Sequence, residues 1–430
     1  MEVPVHKYSM IKFAHSKLLF LILVCVLYCT THSYGYAVLS HEAIIDAAWD
    51  KTLQPLLKAR YPDATPDQLK EAHAYAYGGS VAPDMGYYPF GSKFFTNLLH
   101  YVRSGDFVSN LIDESHDINE YAFALGVLCH YYADKYGHSI GTNRSVPLTY
   151  PQDKEKYGDY VTYEQDPITH IRVDFGFDVL QTARGNYASE SYQQFIGFKI
   201  DTAVLNRAFI KTYGISISDI FGDFPLAVST FRWTVKSFFP VVTRAAWASR
   251  KKDIQKSNPN ITRKKFEYRM RNANYYHDYG KKRQRPGFFP GILAGIIRIL
   301  PKVGALKDLK LTVPGPDAEK LFIQSFDTTT SHYTIALQKL RANNYHFTNI
   351  NWDTGDDTYA GDYNLADESY GELLIKLKKQ QFKNTDAALR KNILAFYSKC
   401  NEKTASVAGA NGWHDITIAL DQLKEYQPAR

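Results

Sequence analysis

The stretch Leu128-Cys129-His130-Tyr131-Tyr132-Ala133-Asp134-Lys135-Tyr136-Gly137-His138 constrains the fold more than any other part of this chain. On a helix, at about 100° per residue, His130, Asp134 and His138 sit at i, i+4 and i+8 and share one face. The run before them, 121–128, is apolar and free of proline, with Gly126 its only breaker. A helix buried on several sides is therefore expected. Imidazole and carboxylate groups pointing inward from such a helix must be partnered. They can form a hydrogen-bonded His-Asp pair in a core, or they can hold a metal, and the rest of the chain has to separate the two.

With 430 residues and 45% hydrophobic content, the chain can fill one large core with a second unit appended. Hardly any segment alternates with period two, so the expected class is all-α. Helical spacing predicts helices over 40–57, 65–76, 94–102, 117–135, 170–184, 192–213 and 226–251. Thr65-Pro66-Asp67 supplies a cap followed by proline at the first helical position. The glycines and prolines of 78–91 predict a loop. Farther on, helices are expected over 319–326, 333–343, 367–379 and 387–398, with an Asp- and Gly-rich loop over 347–365. Residues 320–430 read as a helical extension without a catalytic signature.

The formal charge of +7 is unevenly placed. Between Arg250 and Arg285 thirteen Lys and Arg stand against three acids, a net +10. Such a segment either seeks phosphate or forms a solvated connector. The apolar run 288–300 follows it. That run is too short and too interrupted to span a bilayer, leaving a buried helix or an interfacial anchor, so membrane-surface contact through 250–300 stays open.

The N-terminus reads as an export signal. Lys7, Lys12 and Lys17 precede an apolar run over 18–28, and Ser33-Tyr34-Gly35 offers small residues for cleavage. Cleavage after Gly35 makes Tyr36 the first residue of a secreted or periplasmic protein. Cys25 and Cys29 leave with the leader, and Cys129 and Cys400 remain for at most one disulfide. The organisation expected is a leader over 1–35, a catalytic unit over 36–245, a basic and apolar connector over 246–319, and the extension over 320–430.

Eleven histidines follow the leader. His277, His332, His346 and His414 lack a carboxylate in register toward a common site, and His73 and His116 have no evident partner. The remaining five, His41, His100, His130, His138 and His170, go with Asp84, Asp134 and Asp174. His170 and Asp174 repeat the i, i+4 arrangement on another helix. Two such helices face to face would converge nitrogen and oxygen ligands of the kind that suit zinc.

In order, Tyr36-x4-His41, Asp84, His100, His130-x3-Asp134-x3-His138 and His170-x3-Asp174 resemble the ligand series of the zinc-dependent phospholipase C and single-strand-specific nuclease superfamily. The resemblance covers about 36–245. It implies an all-α multi-helix bundle around up to three zinc ions. One site would take Asp84, His100, His130 and Asp134, and a second His138, His170 and Asp174. A third would take the Tyr36 terminus, through its amino nitrogen and carbonyl, with His41 and the bridging Asp134. Three departures stand out: Tyr36 in place of the family's usual Trp, four residues from Asp134 to His138 instead of six, and Asp174 where bacterial phospholipases carry Glu. The implied reaction is phosphodiester hydrolysis by a metal-bound hydroxide, with Asp84 able to accept the water's proton. A phospholipid is the expected substrate, with the aromatic loop Tyr87-Tyr88-Pro89-Phe90 beside Asp84 as an entrance. The alternatives are a single-strand nuclease or 3'-nucleotidase acting on nucleic acid, and a non-catalytic helical protein stabilised by zinc that binds a partner.

Overall fold

Residues 38–184, 199–257, 259–268, 312–399 and 412–427 are described by a computed structural model. The helices run α1 Val38–Ala48, α2 Gln54–Arg60, α3 Pro66–Val81, α4 Lys93–Tyr101, α5 Ser104–Asp113, α6 Ile118–Tyr136, α7 Asn143–Thr149, α8 Pro151–Tyr157 and α9 Pro167–Arg184. They continue as α10 Thr202–Tyr213, α11 Phe224–Ser257, α12 Arg263–Tyr268, α13 Pro316–Arg341, α14 Asn364–Lys379, α15 Ala387–Phe396 and α16 Gly412–Glu425. Among the described residues there is no strand, and the chain is an all-α bundle. None of the described helices is long and apolar enough to cross a membrane. The leader, Tyr36, the apolar run 288–300, Cys400 and the start of the helix expected over 192–213 lie outside the described residues.

Local chemistry sets several boundaries where the sequence places them. Thr65 and Gln68 form a reciprocal capping box at the start of α3, with Pro66 at the first helical position. Asp117 accepts from the backbone N–H groups of Asn119 and Glu120 to start α6.

The segment 78–91 departs from the loop expected there, because α3 runs through Gly78, Gly79 and Ser80 to Val81 and a 3-10 turn, Ala82–Tyr87, follows. These glycines serve a helix crossing. A Cβ on Gly79 would strike the Phe123 carbonyl, and one on Gly126 would strike the Ala76 carbonyl, so α3 and α6 touch backbone to backbone. The breaker read in 121–128 is thus a contact residue in an unbroken helix. Gly126→Ala is expected to destabilise by at least the roughly 1–3 kcal/mol typical of overpacking, since a carbonyl cannot rotate away as a side chain can. A denaturant titration measures it.

Helix α13 also differs from expectation, being continuous where two helices with a break are predicted. The polar, β-branched run at 327–331 looks like a breaker. In the structure Thr328 and Thr330 donate to the carbonyls of Gln324 and Phe326 one turn back, and Thr329 reaches the Tyr132 carbonyl on α6. Tyr333, fully buried, donates to the Leu125 carbonyl. Helix α13 therefore lies along α6, and Phe322, Tyr333 and Leu337 belong to the same core as Phe123 and Leu128.

The loop between α13 and α14 is stitched to the N-terminal half. Ser104 donates to the Ile350 carbonyl, Tyr131 to that of Thr348, and Asn349 accepts from the Asp106 amide. Gly105 lets the Phe347 and Thr348 carbonyls come close. Trp352 is fully buried, and its amide donates to the His100 carbonyl.

Candidate metal centre

The glycine crossing of α3 and α6 fixes the first part of the site. Ser80 follows Gly79, and His130 lies one turn past Gly126; the Nδ1–H of His130 donates to the Ser80 carbonyl at 2.8 Å. On α4, Nδ1–H of His100 donates to the Thr96 carbonyl at 2.8 Å. A carbonyl only accepts, so both rings carry a proton on Nδ1 and turn Nε2 inward toward the carboxylates. The two Nε2 atoms face each other at 3.4 Å.

Asp134 closes this group from α6. Its Oδ2 lies 3.0 Å from His130 Nε2 and 3.1 Å from His100 Nε2, and its Oδ1 lies 3.5 Å from His41 Nε2 and 3.9 Å from His138 Nε2. Asp84, on the 3-10 turn after α3, places Oδ1 3.5 Å from His100 Nε2. His41, on α1, stacks on His130 with ring centroids 4.4 Å apart. Helix α1 is held in place from α9, where the Asp178 carboxylate accepts from the Leu39 amide and the Ser40 hydroxyl. Two triads, His41/His130/Asp134 and Asp84/His100/His130, each bring three ligand atoms within 4.8 Å of one another, and they share His130.

A π-helical turn, Gly137–Thr142, follows α6 and carries His138 off the regular register. This places His138 beside a second group. Its Nδ1 lies 3.2 Å from Asp353 Oδ1, and His170 Nε2, from α9, lies 3.6 Å from the same oxygen. His138, His170 and Asp353 form the third triad within 4.8 Å. Asp353 comes from the loop between α13 and α14, where Tyr363 donates to its Oδ2 at 2.8 Å and the Tyr163 amide at 3.1 Å. Asp174 sits across the ring, with Oδ2 3.2 Å from His170 Nδ1 and Oδ1 accepting from Thr142.

The electrostatics of this pocket call for a cation. Oxygens Asp84 Oδ1, Asp134 Oδ1 and Oδ2 and Asp353 Oδ1 are buried, and imidazole nitrogens face them at 3.0–3.5 Å. Without metal the balancing charge comes from protons. Burial opposes a charge on His100, but hydrogen bonding to Asp134 and Asp84 wins and raises its pKa to about 10. Burial likewise opposes a charge on His138, and Asp134 and Asp353 raise it to about 9. Burial is also resisted at Asp134, where His130, His138 and His100 hold the carboxyl well below its usual range. Burial, with His130 adjacent, pushes His41 well below 6.5 and leaves it a neutral ligand. Converging imidazole nitrogens and carboxylate oxygens suit zinc, and the donor set fits the ions expected. Because His100 and His138 hold protons up to about pH 9–10, zinc must displace them. Loading is expected to release protons at pH 7–8, and affinity to rise with pH through that range. Titration calorimetry in buffers of different ionisation enthalpy measures the release.

Of the residues singled out in the sequence, His41, Asp84, His100, His130 and Asp134 converge; His138 and His170 converge beside them; and Asp174 touches the outer side of His170. Tyr36 lies outside the described residues. The extension read as lacking a catalytic signature supplies Asp353 to the third triad and Trp352, whose ring packs 4.8 Å from His100 and 5.3 Å from His130. The local trace of this was a tryptophan inside an Asp- and Gly-rich loop. His73 also has a partner after all, Asp46 at 3.2 Å, and stacks on Trp49. Cys129 is a buried free thiol whose nearest acceptor is the His41 carbonyl. Asn143, in an Asn-Arg-Ser sequon, is fully buried and donates to Tyr160 and to the Asp353 carbonyl, so the folded chain offers no acceptor there. Of the aromatic loop, Tyr87 and Tyr88 are buried and Phe90 is 54% exposed.

Residues 40–222 match the family model described as zinc dependent phospholipase C. No curated protein and no solved structure matches the chain.

Proposed function

We propose that this chain, whose residues 40–222 match the zinc-dependent phospholipase C family model, is a member of that family and hydrolyses the phosphodiester of a phospholipid headgroup. The observation that carries the proposal is the presence of three adjoining His/Asp triads, two of them sharing His130, built mostly from the segment that matches that family. Asp84, His100, His130 and Asp134 would hold one zinc, His138 and His170 a second, and His41 with Asp134 a third. Bound zinc supplies Lewis-acid charge to the phosphoryl oxygens and makes water acidic near neutral pH.

The side chains do the rest. Asp84 is the most open carboxylate of the set, its side chain 9% exposed against none for Asp134, so it is placed to take a proton from an incoming water. His130 and Asp134 are sealed from solvent and keep the charges of the site in a low-dielectric interior, where they act strongly. Tyr87 and Tyr163, with ring centroids 6.2 Å apart, stand over His100 and His170 and cover the centre with aromatic surface.

Export with cleavage after Gly35 belongs to the same proposal, because it would give Tyr36 a free amino group five residues before the buried His41. The test is hydrolysis of a chromogenic phosphocholine ester and of single-stranded DNA by zinc-loaded protein, each with and without chelator. Chelator-sensitive turnover of the ester supports the phospholipase reading. Turnover of DNA alone moves the assignment to a nuclease, and turnover of neither moves it to a zinc-stabilised binding protein.

A further inference from the structure

We infer that the second zinc site takes its carboxylate from Asp353, beyond the segment that matches the family, and that Asp174 positions His170 instead of binding metal. The inference rests on the zinc-enzyme reading above and concerns which residues complete it. Asp353 is 1% exposed, and its two oxygens have separate tasks. Oδ2 is held by the Tyr363 hydroxyl and the Tyr163 amide, while Oδ1 faces His138 at 3.2 Å and His170 at 3.6 Å. A carboxylate fixed through one oxygen, with the other turned to two imidazoles, is a preorganised ligand.

The two faces of His170 differ. On the Nδ1 side stands Asp174, which belongs to none of the triads found among the described residues. On the Nε2 side stand Asp353, His138 and the amide oxygen of Asn143, 2.7 Å from Nε2. The orientation of Asn143 is settled by its other end, where Nδ2 donates to Tyr160 and to the Asp353 carbonyl. Its Oδ1 thus faces His170 and accepts from Nε2–H in the metal-free chain. A metal on this face needs the ring proton on Nδ1, and Asp174 Oδ2 is the acceptor 3.2 Å away. Thr142, donating to Asp174 Oδ1, steadies that carboxylate. Asp174, His170 and the metal then form the carboxylate-histidine-metal relay common at such sites.

The experiment uses the full chain and reads metal directly. In zinc-loaded protein, metal analysis is expected to show one equivalent lost from Asp353→Asn, while Asp174→Asn keeps the full number and binds one ion about 10–100-fold more weakly. Since Asp353→Asn could unfold the loop, a gain of signal accompanies it. Asp353→Cys loaded with cobalt is expected to show a sulfur-to-cobalt charge-transfer band, and Asp174→Cys none. A silent Asp353→Cys, a band from Asp174→Cys, or an unchanged zinc count in Asp353→Asn overturns the assignment. Failure of the zinc-enzyme reading looks different, because the unsubstituted protein would then bind no zinc, or bind it without turning over either substrate, whereas the metal counts and cobalt bands of the variants decide the ligand.

Discussion

Asp134→Asn is expected to lower phosphodiester turnover by more than about 100-fold and to cost the protein more than one equivalent of zinc. Loss of an outer partner already costs metal sites about 10–100-fold, and Asp134 stands inside the cluster. Its two oxygens together face His41, His100, His130 and His138 at 3.0–3.9 Å. Asparagine keeps the volume, so the core is not hollowed, but it removes the negative charge and turns one oxygen into a donor aimed at imidazoles. Metal analysis beside steady-state kinetics gives both numbers. A variant that kept its zinc and its rate would show that Asp134 merely pairs with histidine in a core.

Chelation is expected to lower the melting temperature by on the order of 10 °C, with recovery on adding zinc back. A ligand at a thousand times its dissociation constant adds about 4 kcal/mol per site, and 1 kcal/mol moves the melting point of a 150–250-residue domain by about 2–4 °C, less in a longer chain. Three sites exceed what that shift requires. The direction follows from the buried carboxylates of Asp84, Asp134 and Asp353, whose charge only protonated imidazoles offset when no metal is bound. Calorimetry with and without chelator is the measurement. An unchanged melting temperature would mean that these groups are content without metal, and the centre would lose its physical basis.

Much of the site could be read before any fold was known, for reasons particular to each residue. His130 and Asp134 share a face because helical register allows nothing else, and His170 with Asp174 repeats the same geometry. His41, Asp84 and His100 carry no local period that joins them to the rest, and the resemblance alone placed them together. Asp353 escaped on both counts, lying beyond the matched segment and in a loop whose Asp and Gly content resembles any solvated turn. Gly78 and Gly79 were misread for a related cause, since a glycine freeing a turn and a glycine admitting a neighbouring helix look the same in a string of letters.

The sequence by itself determined the helical class, the caps at Thr65 and Asp117, and the alignment of His130 with Asp134, because each depends on bonds and spacings within a few residues. Only the tertiary structure decided which nitrogen of His170 faces which carboxylate, that Trp352 and Asp353 close the centre, and that α13 lies along α6. Those facts depend on groups brought together from distant parts of the chain, where contact is set by packing of the whole core.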